Sequence, residues 1–291
     1  GEDTLSLHDA LPIFYEKDLK PKGQKLVDQL LKEGIAKVGE GGAIIIDLNG
    51  YKLDIALLRK SNGAGLYLTS DLPLAMAKFK KCNADESIVI TGAEQNFYFK
   101  QLYKILELMG FKKKLTHISY GLVNLKEGKM ASRLGNVILY EDLYSSVFEK
   151  LKDESKQRHA DWSEKKINTN VSVLAMAALK FDMQKHEAAK NIIFDTNEAA
   201  SFEGFTGPYV LYSIARINSI LKSVKSIKSK VHKVDYSILD KSEEKQLVLL
   251  LAKYTDVVKS ALLEYNPSVI TRYCFDVAQA FNNFYNKHSM F

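Results

Sequence analysis

The stretch SIVITGAEQNFYFKQLYKILELMGFKKKLTHISYG, residues 87–121, predicts a strand, a helix and a second strand in succession. Its two outer runs are rich in β-branched and apolar residues, and its middle carries apolar residues at helical spacing. Residues 65–81, GLYLTSDLPLAMAKFKK, predict a preceding strand and helix. Such alternation is typical of a parallel sheet whose strands are joined by right-handed helical crossovers. The sequence therefore indicates an α/β domain.

The carboxyl ends of the predicted strands are the first candidate site, because parallel sheets bind ligands there. The residues at those ends are Tyr67, Asp71, Gly92, Gln95, Tyr120 and Gly121. Asp71, at the junction of strand and helix, could cap the helix N-terminus. It could equally bind a cationic ligand, with Tyr67 supplying a ring and a hydroxyl. Gln95 could add a neutral hydrogen bond, and the residues alone leave both interpretations of Asp71 open.

The flanking segments predict a different arrangement at each end. On the amino-terminal side a helix, KGQKLVDQLLKEG (22–34), precedes the strands AIIIDL and DIALLR, which the turn signal NGYK joins as a hairpin. Beyond residue 140 the strands stop, and long apolar-periodic segments predict a helical bundle. These segments are residues 141–154, 171–184, 205–226, 243–265 and 268–288. We therefore expect an α/β domain followed by an all-α domain.

The composition is that of an ordinary globular protein, with 46% hydrophobic and 26% charged residues. Lysine and arginine exceed aspartate and glutamate by 41 to 35, a mild excess that suits a polyanionic partner without requiring one. Cys82 and Cys274 have no CxxC or Cys/His companion, so we expect neither a disulfide framework nor a structural zinc site. No apolar run has the length of a membrane span. We expect a cytoplasmic, monomeric protein, whose residues 1–13 resemble a translated sequencing-library adapter.

A short cationic segment, GKMASRLGNV (128–137), lies between hydrophobic stretches. Lys129, Arg133 and backbone N–H groups could bring positive charge to a triphosphate and stabilise the negative charge that builds up in a transition state. The glycines at both ends permit movement, and a solvated turn is the alternative. The sequence contains neither GxxxxGK[ST] nor GxGxxG, which removes the main support for P-loop and dinucleotide-binding interpretations.

A third candidate surface lies in EGFTGPYVLYSIARINSIL (203–221), a predicted helix. Tyr209, Tyr212 and Arg216 recur at spacings of three and four, which puts them on one helical face. Such a face can be a core stripe with an arginine that extends to solvent. It can also stack RNA bases and contact phosphates. Both interpretations stay open at this point.

Five segments together resemble the arginyl-tRNA synthetases, a family of class I aminoacyl-tRNA synthetases. They are YLTSDL (67–72), VITGAEQ (89–95), YGLVNLKEGKMASRLGNVI (120–138), ALKFDMQKHEAAKNIIFD (178–195) and SFEGFTGPYVLYSIARINSIL (201–221), in the order of that family. The resemblance extends over residues 14–291. It implies the C-terminal part of a Rossmann-type catalytic domain over residues 14–196 and a DALR-type, all-α anticodon-binding bundle over residues 205–291.

The resemblance also implies a reaction and its participants. Arginine and ATP would form arginyl-adenylate, with Mg²⁺ accompanying the triphosphate, and the arginyl group would pass to the 3′ end of tRNA(Arg). Arginine would be held by Tyr67, Asp71 and Gln95. ATP would be contacted by Gly92, Tyr98, Lys129, Met130 and Arg133, with Lys129, Ser132 and Arg133 as the catalytic groups of the loop. The tRNA would contact Tyr209, Tyr212 and Arg216, and no residue is assigned to a metal.

The chain departs from the family pattern at three places. The class signature loop reads Lys-Met-Ser-Lys-Ser, and Ser132 stands where its second lysine would be, so phosphate contact must rest on Lys129, Arg133 and backbone amides. Tyr98 stands where the family usually has histidine. A His-x-Gly-His signature is not found in the sequence. We therefore expect the chain to be an internal piece of a longer synthetase that does not aminoacylate tRNA by itself.

Two other functions fit parts of the pattern. A non-catalytic tRNA- or RNA-binding paralogue could retain the synthetase scaffold without the reaction. A synthetase for another amino acid could share the anticodon-binding domain, as cysteinyl enzymes do. Against the latter, the sequence has no metal-ligand cysteine cluster, and Asp71 suits a cationic substrate. The arginine–tRNA ligase is the leading interpretation.

Overall fold

The computed structural model describes residues 13–126, 139–225 and 236–288. The chain forms two compact units, Gly1–Tyr120 and Gly121–Phe291. The elements of the first unit are α1 (Glu16–Lys32), β1 (Lys37–Val38), β2 (Ile44–Asp47), β3 (Ile55–Arg59), α2 (Tyr67–Cys82), β4 (Glu86–Gly92), α3 (Asn96–Leu108) and β5 (Lys114–Tyr120).

The first helix, α1, begins at Glu16, earlier than the predicted start. Pro21 lies inside it, where the missing N–H of proline leaves one carbonyl without its usual intrahelical partner. The early start buries Leu19 in addition to Leu30, and this apolar burial offsets the cost of the proline. The helix ends before Gly34, whose φ of 75° lies in the left-handed region that glycine adopts readily.

The predicted hairpin is confirmed. β2 pairs antiparallel with β3, and β1 adds a third strand on the other side of β2. The turn contains a 3₁₀ segment, Asn49–Tyr51, followed by Lys52 in the left-handed region. Alternate residues of the two strands enter the core with residues of α1 and α2, as the period of two requires. These buried residues are Ile44, Ile46, Ala56 and Leu58.

The strand predicted at residues 65–70 is wrong, because α2 begins at Tyr67 and takes in the last four residues of that segment. Side-chain hydrogen bonds stabilise the helix start. The Leu66 N–H donates to the Thr69 hydroxyl at 2.9 Å, and this hydroxyl in turn donates to the Leu58 carbonyl of β3. An apolar run of four to six residues is too short to show whether it follows the period of a helix or that of a buried strand. The tertiary contact with β3 decides between them.

The helical start changes the position of Asp71. It is a residue of the second turn of α2, and the N-cap position is Leu66. The interpretation of Asp71 as a helix cap is therefore wrong, because a cap residue must precede the first turn. Tyr67 and Asp71 instead lie one turn apart on the same face of α2.

The strand–helix–strand prediction for residues 87–121 is confirmed. β4 and β5 pair in parallel from Glu86↔Lys114 to Gly92↔Tyr120, with α3 as the crossover between them. Leu106 of α3 is completely buried and holds the crossover in the core. The parallel sheet that the structure describes here has two strands instead of the three predicted, because the segment before α2 is not a strand.

The second unit is mainly helical. Its elements are β6 (Val123–Leu125), α4 (Tyr140–Arg158), α5 (Glu164–Gln184), β7 (Ile192–Phe194), α6 (Thr196–Ala199), α7 (Gly207–Lys225), α8 (Ser242–Ala252), α9 (Tyr254–Leu263) and α10 (Ser268–Lys287). The prediction that strands stop after residue 140 is wrong, because β7 pairs in parallel with β6. Phe194 of β7 is 1% exposed in the core with residues of α4 and α5, and its burial favours a strand that is too short to predict from its sequence.

The helix predicted over residues 243–265 is two helices, α8 and α9, which meet at Lys253. Neither proline nor glycine marks the break. The Lys253 N–H donates to the Leu250 carbonyl, three residues back instead of four, and the Tyr273 hydroxyl of α10 donates to the same carbonyl at 2.9 Å. A contact between helices therefore accompanies the break. The other predicted helices are present, and no described helix combines the length and apolar character that a membrane crossing requires.

Candidate substrate-binding site and RNA-binding surface

The start of α2 presents two of the residues that the sequence singles out. Tyr67 is 81% exposed, and Asp71 is half-buried one turn further along the same face. Leu68 and Leu72 are buried in the core of the first unit and fix the helix in place. A tyrosine ring and a carboxylate are thus displayed together from a rigid element, which suits the binding of a ligand at a defined position.

Asp71 accepts a hydrogen bond from the Tyr98 hydroxyl of α3. This contact joins the second turn of α2 to the first turn of α3, and these two helices carry the two predicted groups of site residues. Tyr98 packs edge-on against Phe99, with ring centroids 5.3 Å apart, so its ring is held as well as its hydroxyl. The family resemblance implies a nucleotide contact for Tyr98, whereas in the structure its hydroxyl contacts Asp71.

The electrostatic environment of Asp71 combines burial with one nearby cation. Burial raises the pKa of Asp71, and the hydrogen bond from Tyr98 and the charge of Lys78 partly offset this rise. Glu16 of α1 raises the pKa further through like-charge repulsion. Burial, together with the neighbouring Asp71 carboxylate, also raises the pKa of Tyr98, so the phenol keeps its proton and acts as donor. A guanidinium or ammonium group that paired with Asp71 would relieve the same unfavourable burial of charge.

The end of β4 contributes the next residues of the site. Gly92 is buried there, and the side chain of Glu94 folds back over it, so that a Cβ on Gly92 would lie 2.2 Å from Glu94 Oε2. Gln95 is the exposed N-cap residue of α3, one turn before Tyr98. Sequence reasoning did not single out Glu94. It places a second carboxylate next to the predicted strand-end residues.

His117 of β5 is a further polar residue that sequence reasoning missed. Its Nε2 lies 2.8 Å from Thr91 Oγ1 of β4, and its ring stacks on Phe99 at 4.2 Å. Burial lowers the pKa of His117, which favours the neutral ring. The histidine thereby supports the aromatic layer on which Tyr98 packs. No local motif marks this contact, because strand pairing and the α3 crossover bring the three residues together.

The predicted phosphate loop lies outside the described residues. This applies to Lys129, Met130, Ser132 and Arg133, the residues expected to contact ATP or to act in catalysis. Among the residues that are described, no group of three or more histidine, cysteine, aspartate or glutamate side chains could hold a metal ion. The described part of the predicted site therefore consists of Tyr67, Asp71, Gly92, Gln95 and Tyr98.

In the second unit, Arg216 of α7 lies at the centre of an aromatic cluster. Its guanidinium carbon is 4.4 Å from the Tyr212 ring centroid and 5.1 Å from that of Tyr285 on α10. The guanidinium also donates to Asn282 Oδ1 at 3.1 Å, and Asn282 donates to the buried Ser213 hydroxyl at 2.8 Å. The arginine is therefore held between two rings by a hydrogen-bonded network.

The three residues predicted on this face have different environments. Tyr212 is 45% exposed, and its hydroxyl accepts from the half-buried Arg216 at 3.0 Å, so an exposed ring lies next to a cation that the protein already holds. Tyr209 is half-buried and packs against Phe275 of α10 at 5.3 Å. The structure adds Tyr285 and Asn282, which the sequence pattern on α7 could not reveal because they lie on another helix.

Two family models match the chain. The family described as "tRNA synthetases class I (R), catalytic domain" matches residues 7–196, and the "DALR anticodon binding domain" matches residues 210–291. The arginine–tRNA ligase of Clostridium botulinum is 37% identical over 267 residues, which are 91% of this chain and 46% of that protein. That of Bdellovibrio bacteriovorus is 34% identical over 277 residues, 94% of this chain and 47% of that protein.

A solved structure, Thermus thermophilus arginyl-tRNA synthetase, superimposes with a TM-score of 0.77 at 22% sequence identity. The match covers 93% of this chain and 51% of that one, and at this identity it supports the fold. The fold and the two family matches define a class I tRNA synthetase catalytic domain followed by an anticodon-binding domain, so the fold class expected from the sequence is confirmed. The chain belongs to the arginyl-tRNA synthetase family. It spans about half the length of the curated relatives it matches.

Proposed function

We propose that the protein containing this chain is an arginine–tRNA ligase. It activates arginine with ATP to arginyl-adenylate and transfers the arginyl group to the 3′ end of tRNA(Arg), in the cytoplasm and as a monomer. The observation that carries the proposal is the half-buried Asp71 carboxylate, displayed beside Tyr67 and held by Tyr98. A buried carboxylate is stabilised most by a planar guanidinium, which offers several N–H donors in a fixed geometry.

Tyr67, Asp71 and Gln95 have separate roles in this proposal. Asp71 pairs with the guanidinium of arginine. The exposed Tyr67 ring covers the side chain of the substrate, and the Gln95 amide supplies a neutral hydrogen bond. Lysine would satisfy the charge of Asp71 but not the planar donor geometry, so the same residues favour arginine over lysine.

The nucleotide is assigned to residues at the end of β4 and in the cationic loop. Gly92 lies near it, and Lys129, Met130, Ser132 and Arg133 bring cationic and polar groups to the triphosphate. With Ser132 in place of a second lysine, Lys129 and Arg133 supply the positive charge of the loop. Mg²⁺ enters with the triphosphate, and we assign it no side-chain ligands. The domain limits proposed are residues 14–196 for catalysis and 205–291 for the anticodon.

Replacing Asp71 by asparagine should weaken arginine binding by about 10- to 100-fold, because the neutral amide loses the charge-assisted part of the contact. Isothermal titration of arginine into the chain measures this, with Asp85→Asn as the matched control. Asp85 is an exposed aspartate of the same unit, beyond the end of α2. Citrulline, which replaces the guanidinium by a neutral ureido group, should bind the unaltered chain as weakly as arginine binds the variant. Equal arginine affinity of Asp71→Asn and Asp85→Asn would remove Asp71 from the site.

The proposed RNA contact rests on the exposed Tyr212 ring and the neighbouring Arg216. Replacing Tyr212 by alanine should weaken tRNA binding by about 5- to 100-fold, since one base–aromatic stack contributes about 1–3 kcal/mol. Tyr140→Ala is the control, because Tyr140 is an exposed tyrosine of α4 in the same unit. Filter binding of tRNA at two salt concentrations separates stacking from phosphate contacts, whose contribution depends on salt. Equal losses in the two variants would contradict the proposed contact.

A chain that bound tRNA but not arginine would favour the RNA-binding paralogue.

A further inference from the structure

The contact between Tyr98 and Asp71 has an asymmetric geometry. The Tyr98 hydroxyl donates to Oδ2 of Asp71, and the structure gives no hydrogen bond between Oδ1 and any described residue. Asp71 therefore has one oxygen engaged by the protein and one that is available. Because α2 and α3 are separate helices, the hydrogen bond also fixes the rotation of the carboxylate relative to both helix starts.

Three ionisable groups near Asp71 influence the charge of its carboxyl. Tyr98 faces it from α3, Lys78 from the same helix and Glu16 from α1. Burial and Glu16 favour the protonated acid, whereas Tyr98 and Lys78 favour the carboxylate. Of the two stabilising groups, Tyr98 makes the direct hydrogen bond. Loss of this hydrogen bond would free the carboxylate to rotate and would raise the pKa of Asp71.

We propose that Tyr98 is a positioning residue for arginine: its hydroxyl holds Oδ2 of Asp71 and leaves Oδ1 toward the guanidinium. The inference rests on the proposed binding of arginine by Asp71. It assigns Tyr98 to the amino acid instead of the nucleotide. Tyr98 acts through Asp71 and needs no contact of its own with the substrate.

The test is the variant Tyr98→Phe, which removes the hydroxyl and keeps the ring that packs on Phe99. Arginine affinity should fall by at least about tenfold near neutral pH, because the lost hydrogen bond is to a charged group. The difference in arginine affinity between Tyr98→Phe and the unaltered chain should increase as the pH falls. A carboxyl with a raised pKa loses its charge on acidification, and in Tyr98→Phe this loss should begin at a higher pH than in the unaltered chain.

Tyr103→Phe is the matched control. Tyr103 lies on the same helix and also packs on Phe99, but its hydroxyl donates to the backbone carbonyl of Thr116 at 3.2 Å. Arginine affinity and its dependence on pH should be unchanged in this variant. Both variants lose one tyrosine hydroxyl from α3, so a general effect on the helix would appear in both.

A second measurement keeps the inference separate from the proposed function. Carbon-13 NMR of the Asp71 carboxyl, assigned with Asp71→Asn, gives its titration without any ligand. A higher pKa in Tyr98→Phe than in Tyr103→Phe, together with the arginine deficit, supports the inference. An unchanged titration, or an arginine deficit that is the same at every pH, overturns it. Absence of arginine binding in the unaltered chain would contradict the proposed function, and with it the role of Tyr98 toward arginine.

Discussion

Replacing Gly23 by alanine should destabilise the chain by about 2–3 kcal/mol, although alanine is the better residue for a helix. Gly23 is the point at which α1 crosses α2. A Cβ at this position would lie 1.9 Å from the backbone carbonyl oxygen of Thr69 and 2.7 Å from its carbonyl carbon. Backbone atoms cannot rotate away as a side chain can, so the helices must separate. In an open helix the same substitution would stabilise by up to about 1 kcal/mol.

Urea-induced unfolding of Gly23→Ala, compared with Gly50→Ala, measures this effect. Gly50 lies in the turn between β2 and β3, and a Cβ there would have no neighbour within 4 Å. Gly50→Ala should leave the free energy of unfolding within about 1 kcal/mol of its original value. If both variants were equally stable, the close approach of α1 and α2 would be disproved. A separation of the helices should also lower arginine affinity, since Tyr67 and Asp71 lie in the first turns of α2.

Replacing Lys185 by alanine should lower the free energy of unfolding by about 3–5 kcal/mol, the usual effect of removing one partner of a buried ion pair. The Lys185 ammonium at the end of α5 lies 2.8 Å from Asp182 Oδ1 and 2.7 Å from Glu198 Oε1. The side chains of Lys185 and Asp182 are 8% and 5% exposed, so Asp182 would remain buried without a cation. Glu198 is 63% exposed and would be solvated by water.

Thermal and urea unfolding of Lys185→Ala should be compared with Lys180→Ala, which removes an exposed lysine from the same helix. The double variant Asp182→Leu/Lys185→Met should recover most of the lost stability, because apolar residues of similar volume replace buried ion pairs well.

Burial already raises the pKa of Asp182. In Lys185→Ala this pKa should rise further, and the loss of stability should shrink as the pH falls and Asp182 becomes protonated. A single variant as stable as Lys180→Ala would show that the pair contributes little.

The fold was predictable where one residue pattern extended over a whole element. Residues 87–121 have long runs of one period, and both strands and the crossover helix are present. The prediction failed where the sequence pattern was only a few residues long, or where a contact between distant elements determined the structure. The first four residues of α2 fit the helical period and the strand period equally well. The hydrogen bond from the Thr69 hydroxyl to β3 favours the helix. Likewise, β7 depends on the burial of Phe194, and the break at Lys253 accompanies a contact from Tyr273.

The candidate site was predictable in its residue types and less so in its contacts. The predicted strand ends and the resemblance to synthetases point to Tyr67, Asp71 and Gln95 as site residues. The pair formed by Asp71 and Tyr98 could not be named, because 27 residues separate them and no spacing rule connects two helices. The same holds for Tyr285 beside Arg216. Pairwise contacts across elements depend on packing, which a single sequence does not encode in any local pattern.

The strand pairings of the first unit have a consequence for the order of synthesis. β2 pairs with its neighbour β3 through a short turn, and β4 pairs with β5 across a single helix. All these partners lie within the first 120 residues. Domains fold as units while the chain is being made, beginning at the N-terminus. The described groups that act on Asp71 (Tyr98, Lys78 and Glu16) therefore all precede residues 128–137 in the chain. Changes within residues 128–137 should accordingly leave the hydrogen bond between Tyr98 and Asp71 in place.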